Sequence, residues 1–467
     1  MRRLWWLLFF TLACIQGLQA NTRIVTGTLD LEFTYDGTLE SASTCYPARN
    51  TEGASCARFA DSGLVTFTGG GTSWKEIPNH TDSHFELRFE SLSGQVITWK
   101  IPLEGYLIDL RADGLSQITM TSGKSFRPRD AAGFGNWLEQ SRYLGISGEG
   151  VIQLGLDEEE QQTLEVDEWV GYRNRFWALL AGTAGPVAAD IESSENNLDA
   201  RLRWALPTDG EQQLSLFLGP VEPQVLAAAD DALSDILYAG LWFWLRWICF
   251  ALYYLLLWLS FLLPSWGLSV MAMSLLVHVL MLPLSRIAER FQQQVHATEA
   301  RLAPELHRIK KEYKGEQQSA KILALYKTER VHPLYSLKSL LGVAVVIPVF
   351  IGAFDMLAEN IHLLDSAFLW ITDLSRPDDV FDLPFSIPFF GSAVNLLPLL
   401  MTGLSVSASA LHNPPAQHPD LRKKQLRNML LMALGFFALF YTFPAGMVLY
   451  WTTNNLISVI KSMWARR

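Results

Sequence analysis

Four cysteines in 467 residues exclude a scaffold built on disulfides, and none of them forms the close pairs that hold structural zinc. Cys14 falls in the apolar N-terminus and Cys249 in a long apolar run. For Cys45 and Cys56, a disulfide and two free thiols both fit the spacing. No phosphate loop and no nucleophile elbow occurs, and the 9 histidines are scattered. No enzyme, metal or cofactor is therefore expected. Basic charge is also scarce at first: residues 21–235 hold 15 Lys+Arg against 33 Asp+Glu, a net of −18.

Apolar surface is abundant instead, with 49% hydrophobic residues, 16 Trp and 26 Phe. Residues 285–338 reverse the charge, with 11 basic against 6 acidic side chains. An acidic first half and basic loops between apolar runs predict an exported domain followed by a membrane domain. The N-terminus is laid out for export: MRR, then WWLLFFTLACI, then GLQA. Residues 1–20 thus read as a signal peptide or, uncleaved, as an N-terminal anchor.

Residues 21–235 read as β structure. TGTLDLEFTYDG places Leu29, Leu31 and Phe33 on one face before a Tyr-Asp-Gly turn, and HFELRFESLSGQVITWKIPL repeats the style around Ser-Gly. Such alternation predicts an antiparallel β-sandwich. LDEEEQQTLEVDEW, residues 156–169, reads as a solvated acidic loop rather than a calcium ladder.

The second half is expected to be an α-helical polytopic membrane domain. Residues 241–263 and 267–284 are each long enough to cross a bilayer. The exported domain lies outside and the basic loop after residue 284 lies inside, so an odd number of crossings separates them. Residues 236–265, with Arg246 and six Trp/Tyr in the run 241–263, are assigned to a helix lying at the outer interface. Residues 266–467 then hold five spans: 267–284, 339–354, 391–410, 429–443 and 447–463. Between the first two, residues 287–335 read as a cytoplasmic helical hairpin. Its apolar positions Ile287, Phe291, Val295, Leu302, Leu306, Ile309 and Tyr313 recur at helical spacing, with Pro304 interrupting them. Two spans of 16 and 15 residues reach only about 22–24 Å, so a locally thinned bilayer is expected beside them.

Several stretches of this half together resemble the YidC-type membrane protein insertases. They are LFLGPVEPQVL (216–226), SWGLSV (265–270), MLPL (281–284), ALYKTERVHPL (324–334), AFLWITDLSRPD (367–378) and FPAGMVLYWTTNNLI (443–457). They run in family order across 216–463. The resemblance implies insertion of hydrophobic protein segments from the cytoplasmic side of a bacterial inner membrane, with the N-terminal domain in the periplasm. It implies newly made membrane proteins as clients, with membrane lipid, the ribosome and the secretion channel as further partners; no DNA partner is expected. The family works through a polar groove open to cytoplasm and lipid. Such a groove lowers the cost of carrying polar groups into a bilayer. Its lining falls here on Ser274, His278, Thr442, Tyr450 and Asn454.

This sequence departs from the family in that groove. His278 stands where the family has arginine, and Val346 stands where a glutamine is usual. Tyr-Ser-Leu-Lys-Ser-Leu follows His332-Pro333-Leu334 in place of a Gly-Cys-Leu-Pro run. A non-inserting assembly factor on the same scaffold is the alternative reading. A solute transporter fits poorly, because paired Gly/Pro-broken spans are missing. For His278, a groove position and a buried structural bond to a neighbouring helix both remain open. In the groove, an imidazole would be mostly neutral at pH 7 where arginine stays charged.

Overall fold

Leu29, Leu31 and Phe33 are all fully buried, and they alternate along the strand Leu29–Phe33. The second sequence hairpin forms as His84–Ser91 paired antiparallel with Val96–Pro102, turning at Gly94, whose φ of 92° suits glycine. The computed structural model describes residues 21–60, 62–70, 74–81, 83–123, 126, 131–155, 162–183, 185–194, 197–206, 212–329, 331–332, 337–412 and 419–464. The expected signal peptide or anchor, residues 1–20, lies outside these, as do parts of the acidic run 156–169 and of the His332-Pro333-Leu334 stretch.

The first unit comprises residues up to Ala239 together with Glu359–Asp365. It holds two nine-stranded antiparallel sheets. One runs in the order Thr22–Val25, Leu29–Phe33, Leu39–Tyr46, Val65–Thr68, Gln117–Ser122, Asn197–Ala205, Val187–Ser194, Gln162–Val166, with Ser55–Ala60 pairing off Leu39–Tyr46. The other runs Gly150–Gly155, Arg142–Ser147, Trp169–Arg173, Trp177–Gly182, Gln212–Pro220, Leu107–Asp113, Val96–Pro102, His84–Ser91, Trp74–His80. The two face each other across an aromatic core. The Phe33 ring lies 5.3 Å from Trp99 and 6.4 Å from Phe89, and the buried Tyr172 hydroxyl donates to the Met120 carbonyl of the opposite sheet.

The acidic run is not all loop. Gln162–Val166 is an edge strand with Leu164 and Val166 buried. Counting charges hid a period-2 apolar pair within it. Cys45 and Cys56 are cross-strand partners and form a disulfide, which settles the open pairing.

Glu359–Asp365 belongs to this unit as a short strap. The buried Arg173 guanidinium pairs with Glu359 at 3.1 Å, the His362 ring lies 5.6 Å from Tyr46, and the Ser55 hydroxyl donates to the Leu364 carbonyl at 3.5 Å. Tyr46 and Ser55 directly flank the two bridged cysteines, so the disulfide holds the strap's contacts at a fixed spacing. Desolvation by burial pushes His362 down from 6.5 to about 4.

The second unit, Gly240–Ala358 with Ser366–Arg467, is helical. Phe243–Leu262 packs on Leu337–Ala358, and Trp266–Glu312 packs on both Leu337–Ala358 and Ala445–Trp464. Among the described residues, Phe243–Leu262 and Trp266–Ile287 are long and apolar enough to cross a membrane. The 243–262 helix buries Leu245, Cys249, Leu252, Leu256 and Leu259, while Phe243, Trp247, Trp258 and Phe261 stand out.

Pro304 does not interrupt the helix, which runs unbroken through 47 residues. The proline is exposed, so the carbonyl it leaves unpaired can be hydrated. Along that helix Val295, Leu302 and Ile309 are buried at seven-residue intervals. The Gly315–Thr328 helix runs beside it, with the Lys321 ammonium 5.7 Å above the Tyr313 ring and the Gln318 amide donating to the Tyr313 carbonyl.

Two helix lengths differ from expectation. Leu337–Ala358 has 22 residues, about 33 Å at the usual rise, so its length alone does not force a thinned bilayer. Pro419–Phe440 also has 22, of which Leu426–Phe440 is apolar. The expected span 391–410 starts as a strand, Gly391–Val394, and turns helical at Leu396–His412.

Candidate functional site: a polar cluster between two helices

Ser274 and His278 are one turn apart on the 266–312 helix, and Tyr450 and Asn454 are one turn apart on the 445–464 helix. The structure brings these four together. The fully buried Ser274 hydroxyl donates to the Tyr450 carbonyl at 2.9 Å. A helical carbonyl has a second lone pair to give, so this bond joins the two helices without breaking either ladder. The Asn454 side chain lies close to both the His278 ring and the Tyr450 hydroxyl.

Burial divides the cluster. Ser274 and Tyr450 are closed off, at 0% and 3% exposure. His278 and Asn454 are half-buried. Ser274 therefore has the geometry of a helix–helix hydrogen bond, as serine commonly supplies in membranes. The His278–Asn454 end keeps a polar edge open. Thr442 is buried on the turn before the 445–464 helix. Val346, at the family's glutamine position, is exposed at 47%.

What sequence reasoning missed lies at one end of this helix bundle, where three of the quoted motifs interlock. The loop carrying AFLWITDLSRPD closes on itself at Phe368 and Ile371, whose backbones exchange two hydrogen bonds across Leu369. The Ala445 and Gly446 amides, at the start of the 445–464 helix, donate to the Arg376 and Leu374 carbonyls at 2.6 and 2.8 Å. Those amides have no partners within their own helix, so the loop acts as a cap. Asp378 caps a second helix, accepting from the Leu397 amide at 2.8 Å and from the Trp370 indole at 3.0 Å. Asn395 donates to the Tyr441 carbonyl, and the Tyr441 hydroxyl donates to the Ala393 carbonyl.

Gly267, in SWGLSV, completes the lock. A Cβ there would sit 2.1 Å from the Phe368 ring, so only glycine admits that ring. Asp378 precedes Leu397 by 19 residues. No local capping pattern could have revealed it.

Comparisons with known proteins find similarity in this half of the chain. Residues 258–467 match the family model "60Kd inner membrane protein". A membrane protein insertase YidC of Syntrophobacter fumaroxidans is 30% identical over 312 residues, covering 64% of this chain and 53% of that protein. The YidC of Laribacter hongkongensis is 31% identical over 288 residues, covering 60% and 46%. That of Chlorobium phaeovibrioides is 26% identical over 443 residues, covering 87% and 73%. The chain thus spans about half the length of the first two. A solved active YidC insertase aligns over 96% of this chain and 93% of its own, at 16% identity and a TM-score of 0.38. Residues 258–467 of this chain are thus similar to the YidC-type membrane protein insertases.

Proposed function

We propose that the chain is a membrane protein insertase and chaperone of the bacterial inner membrane, acting on newly made hydrophobic proteins without making or breaking a covalent bond. The observation that carries this reading is the half-exposed His278–Asn454 pair between two apolar helices. Polar groups at such positions are costly in lipid unless they are wet or matched. A client's polar tail would exchange hydrogen bonds with this edge as its apolar segment passes into lipid. The buried Ser274–Tyr450 bond beneath would keep the two helices together meanwhile. Five spans, with Phe243–Leu262 at the outer interface and 287–335 in the cytoplasm, satisfy the charge pattern of every loop. The β unit would then be periplasmic, and the cytoplasmic hairpin would face the ribosome or the secretion channel.

A non-inserting assembly factor is favoured by one specific feature: Ser274, Thr442 and Tyr450 are packed, and an exposed valine stands where the family carries glutamine. Depletion of the protein, followed by protease-protection assays on short membrane proteins, separates the two readings. Insertase action expects clients left unprotected. A normal membrane proteome on depletion refutes it and favours the assembly factor. Crosslinking from position 278 to ribosome-held nascent chains tests the site itself.

A further inference from the structure

A cavity of about 420 Å³ lies within the β unit, at one end of the strands Trp169–Arg173, Trp177–Gly182 and Gln212–Pro220. That volume is in the range of small-ligand sites. Three residues in register run across it. Trp169 pairs with Gly182, and Gly182 pairs with Ser215 on the next strand. Leu214 and Leu216, on either side of Ser215, are buried, so Ser215 and Gln213 share the opposite face of their strand. A Cβ at Gly182 would come within 3.3 Å of the Trp169 ring, so glycine keeps this row clear.

The polar groups around the cavity are partly fixed and partly free. The Trp169 indole donates to Asp230 at 3.2 Å, and the Ala232 amide donates to the same carboxylate at 2.9 Å. Asp167 accepts from the Gly148 amide at 3.2 Å. The side chains of Glu168, Gln213 and Ser215 have no hydrogen-bond partner among the described residues.

We propose that this cavity binds a primary alkylammonium group, as carried by a free polyamine or by a lysine side chain. An ammonium offers three donors and no acceptor. The Glu168 carboxylate, the Ser215 hydroxyl and the Gln213 amide oxygen are acceptors left open to receive it. Asp167, Glu168 and Asp230 line the cavity, and no lysine, arginine or histidine does so among the described residues, which disfavours an anion. The carboxylates do not converge as a metal site would, since no three described His, Cys, Asp or Glu side chains gather closely enough. A neutral sugar would pack on an open aromatic face, whereas Trp169 is only 4% exposed and its N–H is already bonded. The net charge of −18 over residues 21–235 adds a long-range attraction for cations. The site stands on the β unit alone and does not rest on insertase action.

The test is equilibrium dialysis of the full-length protein in neutral detergent, at about 0.15 M salt, where attraction between exposed charges is largely screened. The probes are putrescine, spermidine and a lysine amide blocked at its α-nitrogen, against a diol of the same length as putrescine. Wild type should bind one amine saturably per chain and ignore the diol. Binding of the two polyamines alone would assign the free amine, and binding of the blocked lysine as well would extend the site to protein side chains. Glu168→Gln, which breaks no bond in the fold, should weaken binding by roughly tenfold through loss of a charge-assisted hydrogen bond. Ser215→Leu, which fills the cavity without changing charge, should abolish it. Glu104→Gln removes an exposed carboxylate outside the cavity and should leave it unchanged. Unsaturable binding, equal weakening by Glu104→Gln, or undiminished binding to the Ser215→Leu protein would mean diffuse attraction to an acidic surface and overturn the proposal. Binding of the diol as tightly as the amines would overturn it too.

Discussion

Acidification should loosen the Glu359–Asp365 strap, because His362 is held neutral by burial. Its folded value is about 4 against an ordinary 6.5. The folded state therefore binds the proton less readily than the unfolded chain. The associated stability is fully present above 6.5, is lost as pH falls through the interval, and changes no further below about 4. Over the whole interval the loss amounts to about 3 kcal/mol, and at pH 5 to about 2 kcal/mol, or roughly 30-fold in local opening. The measurement is hydrogen exchange at the Leu363 and Leu364 amides, which donate to the Asn360 and Ile361 carbonyls within the strap. Wild type is compared with His362→Gln at each pH, which removes the intrinsic pH dependence of exchange and the shared titration of carboxylates. Protection in wild type should fall relative to the variant between pH 6.5 and 4. A ratio that stays flat across that window would refute the reasoning, because it would mean that the ring is solvated and keeps its ordinary value.

Four further outcomes follow from the same geometry. Asp378→Ala should cost about 1–2 kcal/mol by uncapping the 396–412 helix and stranding the Trp370 indole, seen as faster exchange at the Leu397 amide; unchanged exchange there would show that water replaces the carboxylate. Gly267→Ala should lower the thermal midpoint of the membrane unit by overpacking against Phe368, about 1–3 kcal/mol, and Phe368→Ala should recover part of the loss in the double variant; no recovery would place the strain elsewhere. Cys45→Ser with Cys56→Ser should destabilise the β unit by about 3 kcal/mol, the loop-closure term for a bridge across 11 residues, read by denaturant unfolding against oxidised wild type; a variant as stable as oxidised wild type would refute it, and reduced wild type should match the variant. His278→Leu and Asn454→Leu should show a coupling of about 1 kcal/mol in a double-mutant cycle, with His278→Arg accumulating normally; loss of the His278→Arg protein would mark the position as packed interior.

Much of this protein was legible in its residues because the relevant signals are local. Alternation in Leu29–Phe33 determined a strand and its buried face, since side chains at i and i+2 must point the same way. The Ser274–His278 and Tyr450–Asn454 spacings likewise placed four polar groups on two helix faces. Other readings failed where a stronger local cue masked a weaker one. The charges of the acidic run concealed strand Gln162–Val166, and Pro304 suggested a break that an exposed position does not require.

Tertiary structure alone decided which polar groups meet and which remain open. That Ser274 meets the Tyr450 carbonyl depends on how two helices, distant in sequence, are rotated against each other. Asp378 caps a helix 19 residues away, and Phe368 fills the space beside Gly267 from about a hundred residues beyond it. A cap or a ring-to-glycine fit requires only that two groups arrive at the same point, and no periodicity along the chain encodes that arrival. The strap makes the same point: Glu359–Asp365 follows an apolar helix in sequence, yet its ion pair with Arg173 and its ring contact with Tyr46 assign it to the β unit.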